Sequence, residues 1–272
     1  MLKVLFANQL TLGCAQAAVA TLLALAVMLL ARQRKIHLER ETMVALVRGI
    51  VQITAVGSIL VLLLRGPAWT SVVLLAAMIV AAAAMSAGRS KGLSKSFQVS
   101  LYAIGAGAGS VIALMTCAGV IDTRITSLVP IGSMLIANAM NTNSLVLNRF
   151  RSEVESHAGL IETGLALGAD SKQTIAPYVQ VSVQSSLIPA IDSLRSLGIV
   201  WIPGLMAGML LSGASPIYAA VYQFVTISMI FSSSGLTALI CSLLIRGSAF
   251  SPAEQLTLRP SPVAAPAVGR SA

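Results

Sequence analysis

The chain has 272 residues, of which 56% are hydrophobic and 10% charged, and its mean hydropathy is +0.87. Soluble domains carry about 25% charged residues, so a water-soluble core is excluded and an all-α polytopic membrane protein is expected. The net charge of +9 calls for no nucleic acid. Lysines and arginines that set topology and attract anionic lipid account for it.

A bilayer crossing takes about 20 apolar residues. Apolar runs lie at 8–31, 43–64, 68–87, 98–119, 127–148, 199–214 and 217–245, which predicts about seven transmembrane helices. The sixth run is short and needs its flanks to span. The first is too long for a signal peptide and its basic residues follow it, so a retained anchor is expected. Arg32, Arg34, Lys35 and Arg40 fill the first gap, and Arg89, Lys91 and Lys95 the third. With Arg149, Arg151, Lys172 and Arg195, and Arg246, Arg259 and Arg270 in the tail, fourteen basic residues share one side. Only Lys3, Arg65 and Arg124 fall on the other. Cytoplasmic loops retain Lys and Arg, so the N-terminus is expected outside and the C-terminus in the cytoplasm. Residues 1–250 form the expected transmembrane domain, and the Pro/Ala/Ser-rich 251–272 an expected disordered cytoplasmic tail.

Within the spans, Arg48 is the one formal charge, with Gln52 a turn further on the same face. Two readings are open: a pathway residue, or a cation near the interface that snorkels. Gly105 and Gly109, and Gly204, Gly208 and Ser212, have the four-residue spacing of close helix packing. The fifth span is polar, and Asn138, Asn141 and Asn148 fall on one stripe, as helix adhesion or as pathway lining. Met206 belongs to a late cluster of methionines that read either as core fillers or as soft-metal contacts. Cys14, Cys117 and Cys241 lack CxxC spacing and are expected as small buried hydrophobes. His37 and His157 have no partner ligands at useful spacing, so the residues that would coordinate a metal are not identified. No GxxxxGK[ST] occurs, so this chain is not expected to hydrolyse ATP.

From Arg149 to Gly198 the apolar pattern breaks, and five of the nine acids fall in this gap. Glu162-Thr-Gly164-Leu-Ala-Leu-Gly168 is followed by Ile175, Val179, Val183, Leu187, Ile191 and Leu194, an apolar stripe at helical spacing. Gln180, Gln184, Ser185 and Asp192 lie off the stripe. A short helix, a glycine break, a cap at Asp170 or Ser171 and an amphipathic helix lying at the membrane interface or dipping into it are expected, with Pro189 kinking or breaking the second helix. The acid six residues before a glycine is similar to the coupling loop of ABC transporter membrane subunits.

Longer stretches extend that likeness. Pro130-Ile-Gly-Ser-Met-Leu-Ile-Ala-Asn138-Ala-Met140, Leu165-Ala-Leu-Gly-Ala169, Leu187-Ile-Pro-Ala-Ile-Asp192-Ser193, Val200-Trp-Ile-Pro-Gly-Leu-Met-Ala-Gly208 and Tyr222-Gln223 resemble the FetB family of ABC transporter permeases. Arg48-Gly-Ile-Val-Gln52 is similar to a family stretch in the second span. Against the general coupling-loop pattern, Thr163 and Gly164 replace two alanines.

The resemblance implies a homodimeric membrane subunit in the bacterial inner membrane, exporting iron or another metal ion. It also implies a cytosolic ABC ATPase that holds ATP and Mg on a separate chain, and a link of related plant proteins to aluminium tolerance. The cytoplasmic coupling segment is then about 149–198, with Glu162, Gly164 and Gly168 at the ATPase contact. Pathway candidates are Arg48, Gln52, Asn138, Asn141, Met206 and Gln223. The alternatives are a carrier driven by an ion gradient, disfavoured by the lack of acids inside the expected spans, and a scaffold that recruits a soluble partner.

Overall fold

The computed structural model describes residues 9–34, 39–63, 67, 69–89, 93, 95–250 and 255–258. Among them are nine α-helices: α1 (Gln9–Gln33), α2 (Glu39–Leu63), α3 (Trp69–Arg89), α4 (Ser96–Cys117), α5 (Ile125–Ser156), α6 (Ala158–Ala166), α7 (Ser171–Ser196), α8 (Gly204–Leu211) and α9 (Pro216–Ile245). A 3-10 turn, Arg246–Ala249, follows α9. Four helices are long and apolar enough to cross a membrane, at Thr11–Gln33, Trp69–Arg89, Ser96–Cys117 and Pro216–Ala249. Lys3, Lys35, His37, Arg65, Lys91, Arg259 and Arg270 lie outside the described residues.

The chain divides into two units, Met1–Gly66 and Pro67–Ala272. The first holds α1 and α2. The second is a bundle of five long helices, α3, α4, α5, α7 and α9, in which α5 and α9 each pack against α4 and α7. Two apolar clusters are stacked along it. One gathers Val99, Phe150, Val154, Ile175, Val179 and Ile245. The other gathers Leu75, Ile112, Leu128, Leu135 and Ile227, with Leu194 packed on it. Helices α4, α5, α7 and α9 therefore each run from one cluster to the other, α4 and α7 opposite in sense to α5 and α9, while α3 packs on the second cluster. Arg89, Lys95, Lys172 and Arg246 stand at helix ends on the Phe150 side of the bundle, and Arg149 precedes Phe150 within α5.

Side-chain chemistry fixes the seams. Asn143 donates both amide hydrogens, to Ser86 Oγ and Ser100 Oγ at 2.8 Å each, and Ser144 Oγ donates to Ser86 Oγ at 3.0 Å. One buried amide thus joins α3, α4 and α5. A β-carbon added to Gly107 would stand 2.7 Å from the Thr237 backbone nitrogen and 2.8 Å from its Cα, so α4 and α9 touch there through a glycine. At the start of α9, Ser215 accepts from the Tyr218 N–H at 3.3 Å and Pro216 opens the helix.

Several expectations are corrected. The 199–214 run holds only the eight residues of α8, about 12 Å of helix, which cannot span a core about 30 Å thick. Helix α7 packs lengthwise on α5 and α9, and Pro177 and Pro189 do not break it. Gly105 and Gly109 are not the close contact, and nothing lies within 4 Å of a β-carbon built on Gly204 or Gly208. Cys241 is buried, whereas Cys14 and Cys117 are exposed. Of the described residues in 251–272, Leu256 and Leu258 are buried in the Phe150 cluster, and Thr257 N–H donates to the Ala249 carbonyl at 2.9 Å.

Candidate functional site

Beside the Phe150 cluster, α6 forms a nine-residue cross-piece between α5 and α7. Ala158 and Ile161 are buried and Leu165 packs behind them, which fixes one side of the helix. The other side is open: Leu160, Glu162, Thr163 and Leu167 are exposed, Leu167 at 84%.

Gly168 ends the helix. Its N–H donates to Leu165 O and the Ala169 N–H to Gly164 O, both at 3.0 Å, while its φ is +85°. That pair of bonds around a left-handed residue is the Schellman closure, and it selects glycine because a β-carbon strains this backbone. Gly164 faces Thr174 of α7, where an added β-carbon would lie 3.4 Å from Thr174 Cγ2. Asp170 occupies the N-cap position of α7 without a side-chain cap bond. The coupling candidates Glu162, Gly164 and Gly168 therefore share one short element, joined to α7 by four residues, 167–170.

A second tie links these elements. The His157 ring, at the α5–α6 junction, stacks on Tyr178 of α7 with centroids 4.8 Å apart. Its Nδ1 lies 2.9 Å from the Glu153 carbonyl, and Arg151 reaches Glu155 at 2.6 Å on the same helix. Sequence spacing did not show this stack, since residues twenty-one apart meet only when α7 folds back on α5. Among the described residues no group of three His, Cys, Asp or Glu side chains could hold a metal ion.

The pathway candidates of the second unit do not converge, and Arg48 and Gln52 belong to the first. Arg48 and Gln52 share an exposed face of α2 with Met43, Val44, Val47 and Val51, in the first unit. Asn138 is half-buried and donates back to Met134 O at 2.9 Å, while Asn141 and Asn148 are exposed. Met206 is half-buried on α8. Gln223 turns inward on α9, buried, and neither of its amide atoms has a hydrogen-bond partner.

The structure adds residues the sequence reading set aside. On α7, Gln173, Pro177, Gln180 and Gln184 are exposed at helical spacing, opposite buried Ile175, Val179, Ser182 and Ser186. The available signal was charge: 174–191 is eighteen residues without a formal charge, long enough to lie in a membrane.

A family model described as an uncharacterised protein family (UPF0014) matches residues 14–250. The chain is 31% identical to the probable iron export permease protein FetB of Escherichia coli K12 over 242 residues, 89% of this chain and 93% of that protein. It is 29% identical to the UPF0014 membrane protein STAR2 of Oryza sativa over 240 residues, covering 88% and 84% of the two chains. With the protein ALUMINUM SENSITIVE 3 of Arabidopsis thaliana it shares 27% over 245 residues, 90% of each. No solved structure matches.

Proposed function

The chain belongs to the UPF0014 family of membrane proteins, and from that premise we propose that it is the membrane subunit of an ATP-driven exporter, coupled to a separate cytosolic ATPase and working as a homodimer. Iron or another metal ion is the proposed cargo, on the strength of the name carried by the E. coli relative. The proposed location is the bacterial inner membrane.

The observation that carries this reading is α6. It is clamped on one side and open on the other, and its open side offers Leu160, Glu162 and Leu167 to a partner. It lies at the end of the bundle where the basic residues collect, the end that topology rules place in the cytoplasm. A carboxylate accepting one charge-assisted hydrogen bond contributes about 1.5–3 kcal/mol, and the leucines add apolar contact.

In the proposed mechanism, ATP-driven closure of the partner displaces α6. The short 167–170 link and the His157–Tyr178 stack pass that displacement to α7. Helix α7, 26 residues and about 39 Å long, is the crossing helix that the 199–214 run is not. Seven crossings then remain, formed by α1, α2, α3, α4, α5, α7 and α9, and the cytoplasmic segment shortens to roughly 149–170. Arg195 moves to the outer side with α8, leaving thirteen basic residues inside and four outside.

Copurification tests the reading. The candidate ATPase is one that carries GxxxxGK[ST] and is expressed with this chain. It should copurify with the wild type, show cargo-stimulated ATP hydrolysis, and be lost with Glu162→Ala and Gly168→Leu while both variants still insert. Full retention of partner and stimulation by both variants rejects α6 as the coupling element.

A further inference from the structure

Lipid is a poor neighbour for the outward face of α7. Gln180 and Gln184 are exposed one turn apart, with Val181 and Ile188 exposed beside them, and Gln184 lies halfway along the helix. Pro177 and Pro189 have no N–H, so the carbonyls of Gln173 and Ser185 lack the helical donor they would otherwise receive. At bilayer depth such groups persist only where protein or water covers them. Neighbouring α5 exposes Asn141 and Asn148 in the same way, whereas α9 exposes Val221, Phe224, Leu239 and Leu243.

The chemistry of the face selects its occupant. An amide is donor and acceptor together, so it can pair with its own copy across a two-fold axis along the membrane normal. A charged side chain at the same height would meet its like. With 174–191 free of formal charge, the face is self-complementary.

We propose that the α7 faces of two copies meet around a water-filled passage, and that Gln180 and Gln184 of both copies form the ring of amides that touches the cargo. The cargo class is a cation that keeps its water or oxygen ligands. Amide groups can hydrogen-bond to those ligands, and 174–191 holds no carboxylate to strip them. This inference rests on the permease reading and on α7 as a crossing helix, but its test is separable from both.

The experiment uses the full chain carrying Cys14→Ser, Cys117→Ser and Cys241→Ala. Into it go, singly, Gln180→Cys, Gln184→Cys and, as a lipid-facing control, Leu239→Cys. In native membranes the two α7 cysteines should react with a membrane-impermeant maleimide and be joined between copies by a short bis-maleimide, and the α9 cysteine should do neither. Separately, Gln184→Leu should lower iron efflux from vesicles about tenfold, while Gln184→Asn restores most of it. Unreactive, unlinked α7 cysteines with normal efflux by Gln180→Leu and Gln184→Leu overturn the inference and leave the permease reading standing. Linked, reactive α7 cysteines in a chain whose unaltered form moves no iron uphold the paired face and overturn the iron-permease reading instead.

Discussion

Helices α7 and α9 run antiparallel along the same bundle and bury residues in the same two clusters, yet their outer faces differ. Helix α9 exposes Val221, Phe224, Leu236, Leu239 and Leu243 and buries Thr226, Ser233, Ser234, Thr237 and its glutamine. Helix α7 exposes Gln173, Gln180 and Gln184, with Val181 and Ile188 beside them, and buries Ile175 and Val179. Two long helices that share the same clusters thus differ in the amides on their outer faces. A face that meets hydrocarbon must be apolar, and one covered by protein or water is free to be polar.

The comparison breaks most severely where α9 is seated. Gly107→Val drives a branched side chain into the Thr237 backbone, and overpacking of that kind should cost about 3 kcal/mol or more. The expected readout is loss of monodisperse protein in gel filtration, with Gly208→Ala unaffected. Removing the three-helix seam ranks next. Asn143→Leu removes the donor that Ser86 and Ser100 share and should lower stability in thermal denaturation by about 1–3 kcal/mol. Two positions earlier, Asn141→Leu should leave stability unchanged and reduce efflux, because its amide faces outward.

A smaller effect is expected at the end of α6. Gly168→Ala forces a β-carbon into the left-handed region, at about 1–2 kcal/mol. Partner-stimulated ATP hydrolysis should fall more than folded yield does, which separates coupling from stability. Smallest of all, Gln180→Leu on α7 should shift unfolding by no more than about 0.5 kcal/mol, since the exposed amide makes no bundle contact that the fold needs. A large loss there would mean the amide faces of α7 hold the bundle together, and the contrast with α9 would collapse.

These helices also mark what was legible in the sequence. Hydropathy found α1, α3, α4 and α9 because each has an apolar surface along its whole length. It passed over α7, whose outer face carries Gln173, Gln180 and Gln184. It accepted 199–214 for the converse reason, an apolar run that only eight helical residues occupy. The short helix and glycine break at Glu162 to Gly168 were readable because a helix closed by a left-handed glycine is local chemistry. Adhesion at Asn143 was not separable from the outward stripe of Asn138, Asn141 and Asn148. All sit on one polar helix, and only the neighbours of α5 decide which amide turns inward. Four-residue spacing pointed to Gly105 and Gly109, while the close approach falls on Gly107 between them.

The account turns on α7 being a crossing helix whose inner end is moved by α6, and sidedness tests that most directly. Lys172 and Arg195 stand at the two ends of the helix and both are exposed. In the chain without native cysteines, Lys172→Cys and Arg195→Cys should be labelled by an impermeant maleimide from opposite faces of the membrane, Lys172→Cys from the cytoplasm and Arg195→Cys from outside. Labelling of both from the cytoplasmic face would contradict the account. It would return the whole of 149–198 to the cytoplasm and leave the Gln180 and Gln184 face in water, with no membrane to cross.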